Sequence, residues 1–207
     1  MFDGKRLTAA EPMEIDIKPA RHDALIAVDV QKDFLPGGNL GVSEGDQVIP
    51  VISELIDVFR EAGRPIFATR DWHPEDHCSF VDRGGSWPPH CVQETEGAEF
   101  ADDLNIDDSV TVISKGSDRD VESYSGFHDT DLAERLRNID VKRIIVAGLT
   151  TDYCVLQTVL DGREGGFDVV VVEGGIRAVN VEPGDGDRAI ERMRESGATI
   201  LVGEEAA

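Results

Sequence analysis

Apolar residues recur along the chain in two alternating patterns, which together predict an α/β fold. Short continuous apolar runs such as ALIAVDV, at 24–30, are typical of parallel strands that are buried on both faces. Segments such as 46–62, where apolar residues recur every three or four positions before a glycine, are typical of amphipathic helices. The predicted strands are 24–30, 65–69, 109–114, 142–147, 167–172 and 198–202, and the predicted helices are 46–62, 130–139, 154–165 and 183–197.

The alternation of these elements predicts a three-layer fold with a mostly parallel sheet of about six strands and helices on both faces. We assign this single domain to residues 23–203. Residues 1–22 are polar, contain proline and lack periodicity, so we interpret them as a loose N-terminal extension. Residues 71–100 also show little regular pattern, and a loop of that length inside a compact domain is usually functional.

The charge of the chain restricts its partners. The 207 residues include 42 acidic and 20 basic side chains, which gives a net charge of −22. Such a chain repels phosphates, so we expect neither nucleic acid nor an anionic membrane as a partner. The acidic residues are spread along the whole chain rather than gathered in one segment. This favours a high-salt cytoplasm, where charges are screened within a few Å, over a local acidic binding surface.

The apolar runs and the cysteines indicate a compartment. No apolar run approaches the roughly 20 residues of a membrane helix, and the first residues lack a signal-peptide core. The three cysteines, at 78, 91 and 154, have no CxxC spacing and form an odd set, which is not a disulfide framework. We therefore expect a cytoplasmic protein with at least one free thiol.

One cysteine lies at the point where a predicted strand is followed by a predicted helix. The segment 144–160 reads IIVAGLTTDYCVLQTVL and predicts a buried strand, a tight turn and a helix whose first turn carries Cys154. A helix N-terminus concentrates unpaired N–H groups and partial positive charge, which lower the pKa of a thiol and stabilise an oxyanion. Cys154 is therefore a candidate nucleophile, although a lone cysteine is more often a small buried hydrophobe.

Polar residues also stand at the ends of other strands, where ligands of open α/β sheets bind. Asp29 interrupts the first apolar run, and a carboxylate there costs several kcal/mol unless it is paired. It is a candidate for proton transfer, or else the cap of the next turn. Lys115 follows the third strand, either as a surface lysine or as a cation beside the thiol and the carboxylate. The next loop offers Tyr124 and Phe127 to line a pocket.

The loop after the second strand contains a candidate metal site. Asp71 and His73 are two positions apart at the strand end, so their side chains share one direction. His90 follows in the sequence WPPHC. One carboxylate with two or three imidazoles suits Zn²⁺, Fe²⁺ or Mn²⁺. The alternative is a polar loop with scattered histidines.

Five motifs together resemble one family of enzymes. They are VDVQKDFLPGGNL, RDWHPEDH, SWPPHCVQETEGAEF, KGSDRDVESYSGF and GLTTDYCVLQTVLD, and the resemblance runs from about residue 24 to 201. They resemble the nicotinamidase (pyrazinamidase) branch of the isochorismatase-like cysteine hydrolases. The resemblance implies hydrolysis of nicotinamide to nicotinate and ammonia through a Cys154 thioester, in NAD salvage, with pyrazinamide as a further substrate. It also implies one divalent transition metal, Zn, Fe or Mn.

The resemblance assigns a role to each matching position. It implies a catalytic triad of Asp29, Lys115 and Cys154, metal ligands Asp71, His73 and His90, oxyanion-binding N–H groups of Thr150 and Cys154, and a pyridine pocket lined by Phe34, Trp87 and Tyr124. It further implies a cis peptide bond between Leu149 and Thr150. His77 matches a position that binds metal in some members only, and Thr150 stands where the family usually has alanine.

Two alternatives remain from the sequence. One is another amide or ureido cysteine hydrolase of the same fold, against which the Asp and His metal set argues. The other is a non-catalytic metal- or ligand-binding protein, which would not need Asp, Lys and Cys together. The sequence is compatible with a homo-oligomer and assigns no role to Cys78 or Cys91.

Overall fold

The computed structural model describes residues 17–203, which form one parallel six-stranded sheet flanked by helices. The strands are β1 Asp23–Val28, β2 Ile66–Asp71, β3 Val110–Lys115, β4 Arg143–Leu149, β5 Asp168–Arg177 and β6 Thr199–Leu201. The helices are α1 Val48–Glu61, α2 Leu132–Asn138, α3 Leu156–Glu164 and α4 Asp185–Glu195. The strand order is β3-β2-β1-β4-β5-β6, with every neighbouring pair parallel. The predicted fold class is confirmed.

Two predictions concern the ends of the chain. Most of the predicted extension, residues 1–16, lies outside the described residues, and 17–22 contain no helix or strand. The domain bounds 23–203 stay a prediction. None of the helices found between 17 and 203 is long and apolar enough to cross a membrane.

The sheet is covered on both faces, as the continuous apolar strands require. Alternate residues of β1 point to opposite sides. Leu25 and Ala27 pack with α1 on one face, whereas Ile26 and Val28 pack with α2, α3 and α4 on the other. Burying an aliphatic side chain such as Ile26 stabilises the fold by about 1.5–3 kcal/mol. The core therefore holds β1 rigidly, and the carboxyl end of β1 carries Asp29.

Every element differs by a few residues from its predicted bounds, and three of these differences shape the site. β2 extends to Asp71 because the side-chain amide of Gln31 pairs with both the N–H and the C=O of Asp71, at 2.8 Å each. β5 continues to Arg177 after a register shift against β4. The helix that the sequence predicts from residue 154 is preceded by helical structure: a π-helical turn, Thr151–Val155, contains Cys154 and runs directly into α3, which begins at Leu156.

The point where the strand order reverses forms the crevice for the site. β1 lies between β2 and β4, and Val28 is paired with Thr69 on one side and with Gly148 on the other. Gly148 has φ +137°, and a Cβ there would lie 2.0 Å from the Val28 carbonyl oxygen. Only glycine allows this close approach, which sets the turn carrying Cys154 beside the end of β1.

Candidate active site

Lys115 lies at the centre of a buried charged cluster. Its side chain is completely buried, which excludes the surface-lysine interpretation. Its Nζ lies 2.9 Å from Asp29 Oδ2 and donates a hydrogen bond to Asp71 Oδ1. It also lies 3.5 Å from Cys154 Sγ and 3.3 Å from the Ser123 carbonyl oxygen. One ammonium group thus links both carboxylates to the thiol.

Asp29 is held as an acceptor with one oxygen available. The Thr69 hydroxyl donates a 2.6 Å hydrogen bond to Oδ1, and the Asp29 N–H donates to the Thr69 carbonyl at 3.1 Å. Oδ2 has the ion pair with Lys115, but it receives no well-aligned hydrogen bond from any described residue. Asp29 has φ +48°, a left-handed conformation of the kind that clusters at active sites. The arrangement leaves Oδ2 able to accept a proton.

The expectation of a lowered thiol pKa is wrong for this structure. Cys154 is 4% exposed, and burial raises its pKa well above the ordinary value. The nearby carboxylates of Asp29 and Asp71 raise the thiol pKa further, and the opposing effect of Lys115 does not compensate. Burial also raises the pKa of Asp29, against the attraction of Lys115. These effects disfavour the thiolate of Cys154, so a base beside the thiol has to accept its proton.

The three predicted metal ligands lie close together. Asp71, His73 and His90 are all buried and can each offer one ligand atom, with these atoms within 4.8 Å of one another. Asp71 Oδ2 lies 3.7 Å from His73 Nε2, while Asp71 Oδ1 is bound by Lys115. Burial alone would raise the pKa of Asp71, but Lys115 and the two histidines lower it overall. The carboxylate is ionised, as a metal ligand must be.

Backbone carbonyls orient both imidazoles. His73 Nδ1 donates to the Gly116 carbonyl at 2.9 Å, and His90 Nδ1 donates to the Pro88 carbonyl at 2.8 Å. These hydrogen bonds leave Nε2 of each ring as the nitrogen that can bind a metal, which is the usual arrangement of histidine ligands. Gly116 has φ +62°, and a Cβ there would lie 2.5 Å from the His73 ring. The residue types present fit a divalent transition metal.

His77 packs against one of the three candidate metal ligands. Its ring stacks on His73 with 4.1 Å between centroids. Its Nδ1 bonds to the Ser79 hydroxyl at 2.7 Å, and its Nε2 bonds to the Val121 carbonyl at 3.0 Å. Because both nitrogens are engaged, His77 has none left to offer as a fourth ligand.

Cys154 and two of the three candidate metal ligands, Asp71 and His90, share one pocket of about 280 Å³, part of it open to solvent. Its lining residues are Phe34, Leu40, Asp71, Trp87, His90, Tyr124, Thr150, Tyr153, Cys154 and Val179. Trp87 Nε1 donates to the Tyr124 hydroxyl at 3.0 Å, and Tyr124 donates to Glu122 at 2.5 Å. The three predicted aromatic residues all line this pocket. Phe127 does not, and instead stacks on Phe167 at 6.0 Å beside the core.

The turn before Cys154 has the predicted backbone. The Leu149–Thr150 peptide bond is cis, as the resemblance implies. Thr150 and Cys154 both line the pocket. The role of their N–H groups in binding an oxyanion stays a prediction.

Three residues that position the site are not predicted from the sequence. Gln31 fixes the Asp71 backbone, Thr69 binds Asp29, and the Asp152 carboxylate accepts hydrogen bonds from the N–H groups of Val179 and Asn180. For two of them, the spacing in the sequence could have indicated a role. Gln31 follows Asp29, and Thr69 precedes Asp71, by two residues, so each shares a face with a candidate site residue.

Comparisons with known proteins show which family the chain resembles. The chain matches the family model described as Isochorismatase domain over residues 23–205. The nicotinamidase of Escherichia coli (strain K12) is 39% identical over 200 residues, which cover 86% of this chain and 94% of that protein. The pyrazinamidase of Pyrococcus horikoshii, crystallised in complex with zinc, superposes with a TM-score of 0.84 at 48% identity, covering 87% of this chain and 99% of that one. PnC1 from L. infantum, crystallised with nicotinate, gives a TM-score of 0.81 at 37% identity, covering 88% and 93% respectively.

Proposed function

The chain belongs to the isochorismatase family, and we propose that it is a nicotinamidase, which hydrolyses nicotinamide to nicotinate and ammonia. The observation that carries this proposal is the convergence of a buried thiol, an available carboxylate oxygen and one ammonium group at the wall of an aromatic pocket. Pyrazinamide has the same carboxamide on a similar ring, so we expect it to be a second substrate.

Acylation begins with Asp29. Its Oδ2 accepts the thiol proton of Cys154, and the thiolate attacks the carboxamide carbon to form a tetrahedral intermediate. The N–H groups of Thr150 and Cys154 stabilise the oxyanion. Lys115 keeps positive charge beside both carboxylates while the thiolate forms.

Asp29 then returns the proton to the nitrogen of the substrate. The carbon–nitrogen bond breaks, ammonia departs, and a thioester remains on Cys154. A water molecule attacks the thioester carbon while Asp29 accepts its proton, and nicotinate leaves as the thiol is restored. Trp87, Tyr124 and Phe34 line the pocket that receives the ring.

Asp71, His73 and His90 would hold one divalent transition metal. Their carboxylate and imidazole donors suit Zn, Fe or Mn, and zinc is the metal in the P. horikoshii pyrazinamidase. Bound there, such an ion would supply a Lewis acid able to orient the ring nitrogen of the substrate. A cytoplasmic location, a role in NAD salvage and a homo-oligomer stay predictions.

Two other functions are less well supported. Another amide or ureido hydrolase of this fold would use the same nucleophile, but would have no need of the Asp71, His73 and His90 set. A non-catalytic binding protein would have no use for Asp29, Lys115 and Cys154 in contact with one another.

The test is ammonia release from nicotinamide, measured at several KCl concentrations with a metal assay of the same protein. We expect Cys154→Ala to abolish ammonia release while one metal ion per chain stays bound. Cys78→Ala is the matched control, because Cys78 lies outside the pocket, and it should keep full activity. Full activity of Cys154→Ala would exclude the mechanism, and protein free of metal but fully active would exclude the metal role.

A further inference from the structure

One buried polar atom beside the nucleophile has no partner. The hydroxyl oxygen of Thr150 is shielded from solvent, and it makes no hydrogen bond within the described part of the chain. Between residues 17 and 203 only one other buried side-chain oxygen or nitrogen shares this condition, Asp29 Oδ2, which the proposed mechanism uses. An unpaired buried hydroxyl lowers stability, so its presence at a pocket wall points to a ligand that satisfies it.

The hydrogen-bond acceptors in the same turn are used by other donors and not by the Thr150 hydroxyl. Its own carbonyl accepts from the N–H groups of Tyr153, at 3.2 Å, and Val155, at 3.0 Å. The Asp152 carboxylate accepts from the N–H groups of the β5–α4 loop, at 2.9 and 2.8 Å. The turn is thus closed by its backbone and by Asp152, without use of the Thr150 hydroxyl.

We propose that the Thr150 hydroxyl donates a hydrogen bond to the carboxamide oxygen of the substrate, as a third donor beside the two backbone N–H groups. This inference rests on the proposed function. Thr150 lines the same pocket as Cys154, so an acyl carbon bound to the thiol carries its oxygen close to this turn. A hydrogen bond to an oxygen that gains negative charge is stronger than a neutral one, so the contact contributes most in the transition state.

The test compares Thr150→Val, which keeps the branched shape and removes the hydroxyl, with Thr150→Ser, which keeps the hydroxyl. On nicotinamide, Thr150→Val should lower kcat by about tenfold or more and leave KM within about twofold. Thr150→Ser should keep kcat within about threefold of the wild type. Unchanged kcat in Thr150→Val, or equal losses in both variants, would overturn the inference.

A second measurement is independent of activity. Removal of an unpaired buried hydroxyl stabilises the ligand-free protein, so Thr150→Val should raise Tm by about 2–4 °C. A lower Tm would reveal an internal partner for the hydroxyl and would also overturn the inference. If the wild type itself releases no ammonia from nicotinamide, the proposed function fails and this inference fails with it. An active wild type beside an equally active Thr150→Val overturns the inference alone.

Discussion

Replacement of Lys115 by methionine tests the electrostatic core of the site. Methionine has nearly the length of lysine and fills the same space without charge. In the wild type, the Lys115 ammonium contacts Asp29 and Asp71, both of which are buried. The variant leaves these carboxylates facing each other, since their oxygens lie within 4.8 Å.

The size of the effect follows from this distance. Two like charges no more than 4.8 Å apart repel by at least about 3.5 kcal/mol at an effective dielectric constant of about 20. Breaking a buried ion pair by removing one partner costs about 3–5 kcal/mol in general. We therefore expect Lys115→Met to lower the free energy of unfolding by about 3–5 kcal/mol, a large part of the stability of a typical domain.

The assay is equilibrium urea unfolding of metal-free protein at fixed KCl concentration. Asp29→Asn in the Lys115→Met background should restore about half of the loss, because asparagine removes one charge and tolerates the left-handed backbone. Neither variant should release ammonia. Lys142→Met is the control, since Lys142 is exposed and, among residues 17–203, pairs with exposed Asp140; it should cost less than about 1 kcal/mol. A loss below about 1 kcal/mol in Lys115→Met, or a double variant less stable than the single one, would refute the reasoning.

Three further predictions concern the pocket, one ion pair and the net charge. Glu122 accepts a hydrogen bond from the Tyr124 hydroxyl, and that hydroxyl accepts one from Trp87, so Glu122→Gln weakens the contacts that hold both aromatic rings in place. We expect KM for nicotinamide to rise about 2- to 10-fold and kcat to stay unchanged. An unchanged KM would contradict this prediction. Burial opposes ionisation of Asp23, but the Arg143 guanidinium lowers its pKa overall. Asp23→Asn should therefore cost about 1–3 kcal/mol above pH 4, and the cost should vanish as the pH falls through the lowered pKa; a cost that persists at acid pH would refute this. Raising KCl should raise Tm, because the net charge of −22 repels itself when unscreened, and a Tm that falls with KCl would exclude the high-salt interpretation.

The positions of the charged residues could be predicted from the sequence because parallel strands end at one edge of the sheet. Asp29 interrupts an apolar run, and Lys115 follows another, so each marks that edge. The contact between Lys115 and Asp71 could not be predicted. It depends on the register of β2 with β3, which pairs these two residues, and the register depends on packing across the whole sheet.

The pKa of Cys154 shows a second limit. The sequence predicts a cation and the start of a helix near the thiol, and both favour the thiolate form. The fold adds burial and two carboxylates, and these effects outweigh the cation. The sign of a pKa shift depends on desolvation, which is a property of the packed structure rather than of residue identity.

The buried side-chain atoms that lack a hydrogen bond point to the candidate active site independently of any sequence motif. In the described chain, the two buried side-chain atoms that lack a hydrogen bond belong to Asp29 and Thr150; Asp29 has a ligand-type atom within 4.8 Å of the Cys154 thiol, and Thr150 lines the same pocket as Cys154. The unpaired Thr150 hydroxyl costs about 1–3 kcal/mol relative to a paired one, and Asp29 Oδ2 has only its ion pair with Lys115, so a fold selected for stability alone would pair or replace them. They persist together at the only thiol in contact with Lys115 among residues 17–203. Their cost is therefore best explained by a reaction in which one atom accepts a proton and the other donates a hydrogen bond.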